Sequence, residues 1–583
     1  MSKMKKKEKL GVSLVACLLA GAVLGLRLQA PYLSIPSLLA LIAITVFTGR
    51  LLPIGTAGLA LIFLYAGPQA GALYIRGSHV GGRVATEIAT QGWPLPSSAI
   101  IRGFPETPLL HIHTLIVNAI TELEILPTSQ PQILVSWLLP LWYVSVALLF
   151  VLVTARHFRE SQQVRRRLPP VGIMMIPVVL WIPLYRAKTG FSRQSIAVAL
   201  FALTVFVLYR WYHSPSNRWG VIALFGAGST VVSHHLTSVM LGIFFAVVLL
   251  YVFSERTLDP SSLVTPPKPV LTQMAALYLF ILVFFLIWQY VVTTGGINFT
   301  VLIASVGFSG EKLGTILSFI LGSGTTEQVG LPVAERGPFM RFQSFFGYWL
   351  YQLLIGIGCV VASAYWWFRG RDLGGWVNVV TVFGVTTGIL AVLSWVTGIG
   401  DIARITTFFV LVGAWISPIG VYLAFDRVNE HRLTLTRVFV LGTVVVGLLL
   451  IPPYVVSDVE PRYTQAETDQ RFPAQYYAGG EFIGQYTSEE TPIAGDENTE
   501  HILIATTGRQ ASNPPSAVLN GTVPNGGVLM LLDYNDRLFF GAHRSVGNYA
   551  IVPTATFETV QSKNSMIYSN GKATIYTDTP PSE

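Results

Sequence analysis

The side chains in this sequence that could do chemistry sit in a few short phrases. "YRAKTGFSR" holds Arg186, Lys188 and Arg193, and "GDIARITTFF" holds Asp401 and Arg404. A guanidinium fork matches phosphate oxygens and an ammonium adds a point charge, so these four cations could hold an anionic headgroup at lipid depth. The plain alternative for any one of them is a span-end side chain whose stem lies along apolar surface while its head reaches water. "GSHVGGRVATEIATQG" offers His79 and Glu87, eight residues apart. That is about two turns of a helix, so a helical loop would put them near one face. A carboxylate in reach of a hydroxyl can act as general base, and the same group can bind a divalent ion. A solvated helix charge is the plain reading of Glu87.

Two pairs of imidazoles complete the set, His111 and His113 in "LLHIHT" and His234 and His235 in "SHHLTS". Residues two apart or adjacent on a helix diverge in direction, so neither pair chelates a metal by itself. A metal site would need one histidine from each pair together with Glu87. Each histidine is more simply a hydrogen-bonding residue at a membrane boundary, with substrate contact as the sharper alternative. Glu311, in "GFSGEKLG", is a further carboxylate on the same side as these groups.

What must position these residues is set by composition. Of 583 residues, 52% are hydrophobic and 12% charged, and the mean hydropathy is +0.56. Soluble domains carry roughly twice that share of charge, so a polytopic membrane protein is expected. The two cysteines, Cys17 and Cys359, both lie in apolar runs, which leaves no disulfide framework and no thiolate metal site.

Thirteen runs are long enough to serve as spans: about 10–26, 33–48, 51–67, 132–154, 171–185, 194–209, 219–233, 236–253, 270–292, 346–368, 375–397, 403–424 and 438–456. Their connections alternate in character. One set, including "KMKKKEK", "RHFRESQQVRRR", "RGRD" and "DRVNEHRLTLTR", carries 20 Lys and Arg, against 11 in the longer opposite set. The excess of cytoplasmic Lys and Arg puts the N terminus inside and the C-terminal segment outside. Both Asn-x-Thr sequons, at Asn298 and Asn520, then fall on the external side, where glycosylation acceptors belong. Reading Trp219–Phe253 as one span would invert every later loop, so a break at His234 and His235 is expected, at the outer boundary. The first run resembles a signal peptide in its basic start, but "LRLQAPYL" has no small-x-small cleavage site, so a retained anchor is expected.

Two external loops are large, at about 68–131 and 293–345. In the first, over Pro108–Leu123, Leu109, Leu110, Ile112, Leu115, Ile116, Ala119, Ile120 and Leu123 recur at helical spacing and predict a helix lying in the membrane interface. In the second, glycines flank a predicted short helix. The chain thus divides into a transmembrane domain at 1–456 and an external soluble domain at 457–583. The latter has 15 acidic and 7 basic residues from Asp458 onward, while the rest carries 15 and 31. A short helix followed by strands around Ile502–Ala505, Val528–Leu532 and Ala550–Pro553 makes it a small α+β domain. The span cores hold no acidic residue, which disfavours an ion-driven transporter.

Set in this topology, "GSH…ATEIATQG…FPETPLLH", "FSRQSIAVALFAL", "SHHLTS", "DIARITTFF" and "GEFIGQY…TPIAGDE" resemble phrases of the C-type membrane glycosyltransferases, in particular archaeal ones. The resemblance covers most of the chain. It implies a helix bundle of about thirteen spans with an external tail. It implies transfer of a sugar from a polyprenyl (dolichyl) phosphate carrier to a glycan, lipid or protein acceptor, at the outer face of the cell membrane. It also implies a first-loop carboxylate as base or metal ligand, with Mg or Mn as a candidate cofactor. Here the chain departs from the family pattern. Gly77-Ser78-His79 stands where a Gly-Asp is expected, and residues 68–130 contain no aspartate, so the role would pass to Glu87 with His79. Two alternatives remain open, a translocase of lipid-linked oligosaccharide and a non-catalytic scaffold that binds lipid-linked sugar. Nucleic acid is not an expected partner.

Overall fold

The structure is a computed structural model that describes residues 6–27, 31–70, 78–91, 109–122, 169–184, 193–258, 268–291, 348–369, 375–397, 402–425, 431–449, 474–509, 511, 523–535, 538–540, 549–551 and 554–578. Among these residues are seventeen helices and six strands. The helices that follow the apolar runs are α1 (Lys6–Arg27), α2 (Pro31–Thr48), α3 (Leu51–Ala70), α6 (Val171–Leu184), α7 (Arg193–His213), α8 (Asn217–Ser233), α9 (His235–Leu258), α10 (Lys268–Val291), α11 (Tyr348–Arg369), α12 (Gly375–Thr397), α13 (Ile402–Ala424) and α14 (Arg432–Leu449). The first external loop contributes α4 (Ser78–Gln91) and α5 (Leu109–Thr121). The run at 132–154, the loop at 293–345 and both sequons lie outside the described residues.

Four segments, Ile196–His213, His235–Ser254, Leu271–Trp288 and Ile405–Ala424, are long and apolar enough to cross a membrane. Shorter apolar helices accompany them. The chain is a mostly helical membrane protein.

It divides into two compact units. The first gathers α1, α2, α3 and α6 to α14. Its centre is α13, which packs on α6, α11, α12 and α14. A stack of rings fills the inside: Phe201 meets Phe244, Phe383 and Phe408 with centroids 6.2, 5.9 and 5.2 Å away. Between α11 and α13 the backbones touch. A Cβ added at Gly420 would run into the Gly358 carbonyl, and one at Gly358 into Ser417. Lipid gives no hydrophobic drive for helix association, so close approach through small residues supplies the packing energy. At the edge, α10 leaves Leu279, Phe280, Leu282, Val283, Leu286 and Ile287 exposed. In water such a patch would be a liability, and against acyl chains it is the expected lipid face.

The second unit joins α4 and α5 to the C-terminal segment. That segment holds α15 (Ala474–Tyr486), β1 (Ile493–Ala494), α16 (Glu497–Thr507), β2 (Val528–Leu532), β3 (Leu538–Phe540), β4 (Tyr549–Ile551), α17 (Thr554–Lys563), β5 (Ser565–Ser569) and β6 (Ala573–Thr577). The main sheet runs β1-β2-β6-β5, with β1 parallel to β2 and the other pairs antiparallel. Along β2 successive side chains face opposite ways. Val528, Met530 and Leu532 join Tyr476, Ile483, Ile502 and Leu503 in one core, while Leu529 and Leu531 join Val560 and Tyr576 in another. Both faces of β2 are therefore buried.

The sequence predicts a strand at Ile502–Ala505, and this is corrected: the segment is the middle of α16. A short apolar run has no period that separates a buried strand from a buried helix. The ends decide it. Asp496 caps the N terminus, and Gly508, at φ 75°, closes the C terminus in the left-handed region that glycine enters without strain.

Candidate functional site

Glu87 lies in α4, which stays helical through Gly81 and Gly82. Val84, Ala85 and Ile88 form the buried side of this helix, and Glu87 is half-buried beside them. His79 occupies the first turn of the same helix, eight positions earlier. At about 100° per residue the two differ by about 80° in direction. The α4 helix packs on α5 and also on α16 of the C-terminal segment. On α5, Thr114 and Val117 are buried, whereas Ile112, Ile116 and Ile120 form an exposed apolar row at four-residue spacing. His111 and His113 are in α5 as well.

The support beneath α4 centres on a residue to which the sequence reading gives no role. Asp496 is fully buried. Its Oδ1 accepts the Thr499 N–H at 2.8 Å, and Oδ2 accepts the Tyr534 hydroxyl at 2.6 Å and Asn535 Nδ2 at 3.1 Å. Asn498 Nδ2 donates to the Tyr534 oxygen at 2.8 Å, and Asn535 Oδ1 accepts the Leu532 N–H at 2.7 Å. Burial, then the charge of Asp496, pushes Tyr534 well above the usual tyrosine range, so its hydroxyl stays a donor. A buried carboxylate is tolerable only with such partners. At the other end of α16, Arg509 donates from Nη1 to Thr487 Oγ1 at 2.7 Å and from Nη2 to the Thr491 carbonyl at 2.6 Å. The signal for Asp496 is in the sequence, an aspartate six residues ahead of the apolar run Ile502–Ala505, but a helix cap predicts position and not role.

In the membrane unit the adjacent histidines separate in environment. His234 is 5% exposed, whereas His235 is exposed. The chain at His234 is extended, with φ −164° and ψ 123°, so α8 ends and α9 begins on this single residue. His234 Nδ1 accepts the Thr237 N–H at 3.4 Å and lies 3.1 Å from the Thr237 hydroxyl. An Nδ1 that accepts leaves the ring proton of neutral imidazole on Nε2. Ser238 Oγ donates to the Thr230 and His234 carbonyls at 3.2 and 2.9 Å, and Thr230 Oγ1 to the Gly226 carbonyl at 2.8 Å. The hydroxyls of "STVVSHHLTS" thus satisfy backbone groups where a helix breaks inside apolar surroundings, which is what such a break demands. The two imidazole rings stack with centroids 4.8 Å apart.

Arg404 is in the first turn of α13 and Arg193 is the first residue of α7. The side chains of Arg404, Arg193, His79, His111 and His113 lie outside what the structure describes, as do Arg186, Lys188, Glu311 and Asp401 altogether. Among the described residues no three His, Cys, Asp or Glu side chains come together in a group that could hold a metal. The donor set for Mg or Mn is not assembled among them.

Comparison with protein-family models and with curated proteins finds no match. Solved structures do match. ArnT from Cupriavidus metallidurans bound to undecaprenyl phosphate is 11% identical over 90% of this chain and 98% of its own, with a TM-score of 0.45. The apo state of the same protein is 11% identical over 90% and 97%, with a TM-score of 0.43. The Archaeoglobus fulgidus oligosaccharyltransferase, tethered to an acceptor peptide containing the NVT sequon, is 12% identical over 85% of this chain and 74% of its own, with a TM-score of 0.47. The chain is similar to these solved structures at low identity across most of its length.

Proposed function

We propose that this protein is a membrane glycosyltransferase that takes a sugar from a polyprenyl phosphate carrier and delivers it to a glycan, lipid or protein acceptor on the outer face of the cell membrane. The observation that carries the reading is Glu87, a half-buried carboxylate on a helix of the first external loop that is braced by the C-terminal segment. The transferase phrases of the sequence, with "ATEIATQG" among them, support it.

In this reading Glu87 acts as general base. It takes the proton from the acceptor nucleophile as that atom attacks the anomeric carbon, and the bond from that carbon to the carrier phosphate oxygen breaks with its electron pair leaving on phosphate. Charge then develops on the phosphate, where Arg404, at the head of α13, stabilises it. His79 stands eight residues earlier on the same helix and is proposed as a further contact of the transferred sugar. Arg186, Lys188 and Arg193 are the further cations proposed to hold the carrier phosphate.

The test is a transfer assay with purified protein in lipid nanodiscs and polyprenyl phosphate sugars. Glu87→Gln is expected to abolish transfer while preserving binding of the carrier, and His79→Ala to weaken transfer. Full turnover by Glu87→Gln removes Glu87 as the base. A wild type that binds carrier but transfers from none of them supports the scaffold reading, which the missing first-loop aspartate favours.

A further inference from the structure

Helix α16 is held at both ends and lies between the core of the C-terminal segment and α4. Its Thr499, Ile502 and Thr506 face inward: Gly495 lies against Thr499, Gly480 against Ile502 and Thr506, and Thr499 Oγ1 reaches the Met530 carbonyl at 3.5 Å. By the helical period the opposite side carries His501 and Ile504. Ile504 is buried although it stands apart from the core cluster that takes Ile502, Leu503 and Ala505. That is the side left for α4, which packs on this helix.

Resting on the reading of Glu87 as the base, we infer that Asp496 is a positioning residue for Glu87, acting through α16 and α4. Asp496 touches no reacting atom. Its carboxylate fixes the start of α16 to the turn after β2 through Tyr534 and Asn535, and Arg509 fixes the end to the turn before β1. A helix tied at both ends cannot roll or slide under α4, so the placement of Glu87 is inherited from a network in a part of the chain more than 400 residues away. Positioning to within a fraction of an ångström is what a general base needs, and a misplacement of about 1 Å costs about a hundredfold in rate.

The experiment is amide hydrogen exchange on the full-length protein in lipid nanodiscs, read over residues 78–91 and 497–507. Wild type, Tyr534→Phe and Asp496→Ala are compared, with residues 554–563 on the other face of the sheet as control. Exchange is expected to rise in that order in both segments together, with the control unchanged. Faster exchange in 497–507 with wild-type protection in 78–91 overturns the coupling. Tyr534→Phe keeps the cap and the shape, so it carries the test if Asp496→Ala does not fold. In the transfer assay Tyr534→Phe should lower kcat about tenfold with the carrier KM within about twofold, because base placement and not carrier binding is disturbed. Coupled exchange with an unchanged kcat leaves Asp496 a purely structural residue and overturns the positioning role. If the wild type transfers nothing, the enzyme reading fails separately, and the coupled exchange still measures the mechanical link.

Discussion

At the scale of single residues, types that look reactive divide into two uses. His234 and the hydroxyls around it serve the backbone, closing the gap between α8 and α9. Asp496 serves a helix terminus with three donors on its carboxylate. Glu87 is half-buried on α4 and Arg404 stands in the first turn of α13, and the proposed chemistry gives both their roles. Arg404→Ala is expected to weaken binding of a polyprenyl phosphate by about tenfold or more, the loss of a charge-assisted pair, with the helix content unchanged by circular dichroism. Unchanged affinity in the folded variant removes Arg404 from the site. Tyr534 gives a pH prediction. Its folded value is raised above that of the unfolded chain, so its contribution to stability is complete below about pH 10 and is lost as pH climbs toward the folded value. Thermal melts of wild type should fall above about pH 10 more steeply than those of Tyr534→Phe, and parallel curves would contradict the assignment.

At the scale of elements, α11 and α13 hold the membrane unit together by backbone contact at Gly358 and Gly420. A methyl at Gly420 meets the Gly358 carbonyl, which belongs to a helix and cannot swing aside. Gly420→Ala is expected to cost about 1–3 kcal/mol, the usual range for overpacking, and to lower the melting temperature in detergent. Gly442, with nothing near its Cβ, is the control, and Gly442→Ala should be neutral or stabilising. Equal effects at the two positions would show that contact does not explain the first. The helix ends were more legible than the helix type. Capping aspartate and closing glycine bracket α16, yet its all-apolar middle reads equally as a strand, because burial on every side erases the period.

At the scale of the whole molecule, the asymmetry of Lys and Arg orients the chain. The N terminus is expected in the cytoplasm and the C-terminal segment outside. The grouping of α4 and α5 with the C-terminal segment in one compact unit fits a common side for both. Protease added to intact spheroplasts should remove a C-terminal tag and spare an N-terminal one. A protected C-terminal tag reverses the topology and with it the outer-face placement of the proposed reaction.

The membrane class, the helical runs among the described residues and the break at His234 were legible in the sequence, because lipid imposes length and apolarity on each segment separately, and a local rule leaves a local trace. The helix at Leu109–Thr121 was legible for the same reason, since one side of it is apolar at a regular spacing. What α4 rests on was not. The packing of α4 on α16 joins segments more than 400 residues apart, and no spacing rule reaches across that distance. The role of Asp496 was hidden likewise: its three donors come from Thr499, Tyr534 and Asn535, and two of them arrive only when β2 returns beside the start of α16. Sequence by itself determined that most of the chain is apolar helix, whereas tertiary structure decided which helix braces Glu87, because that depends on which buried faces find one another.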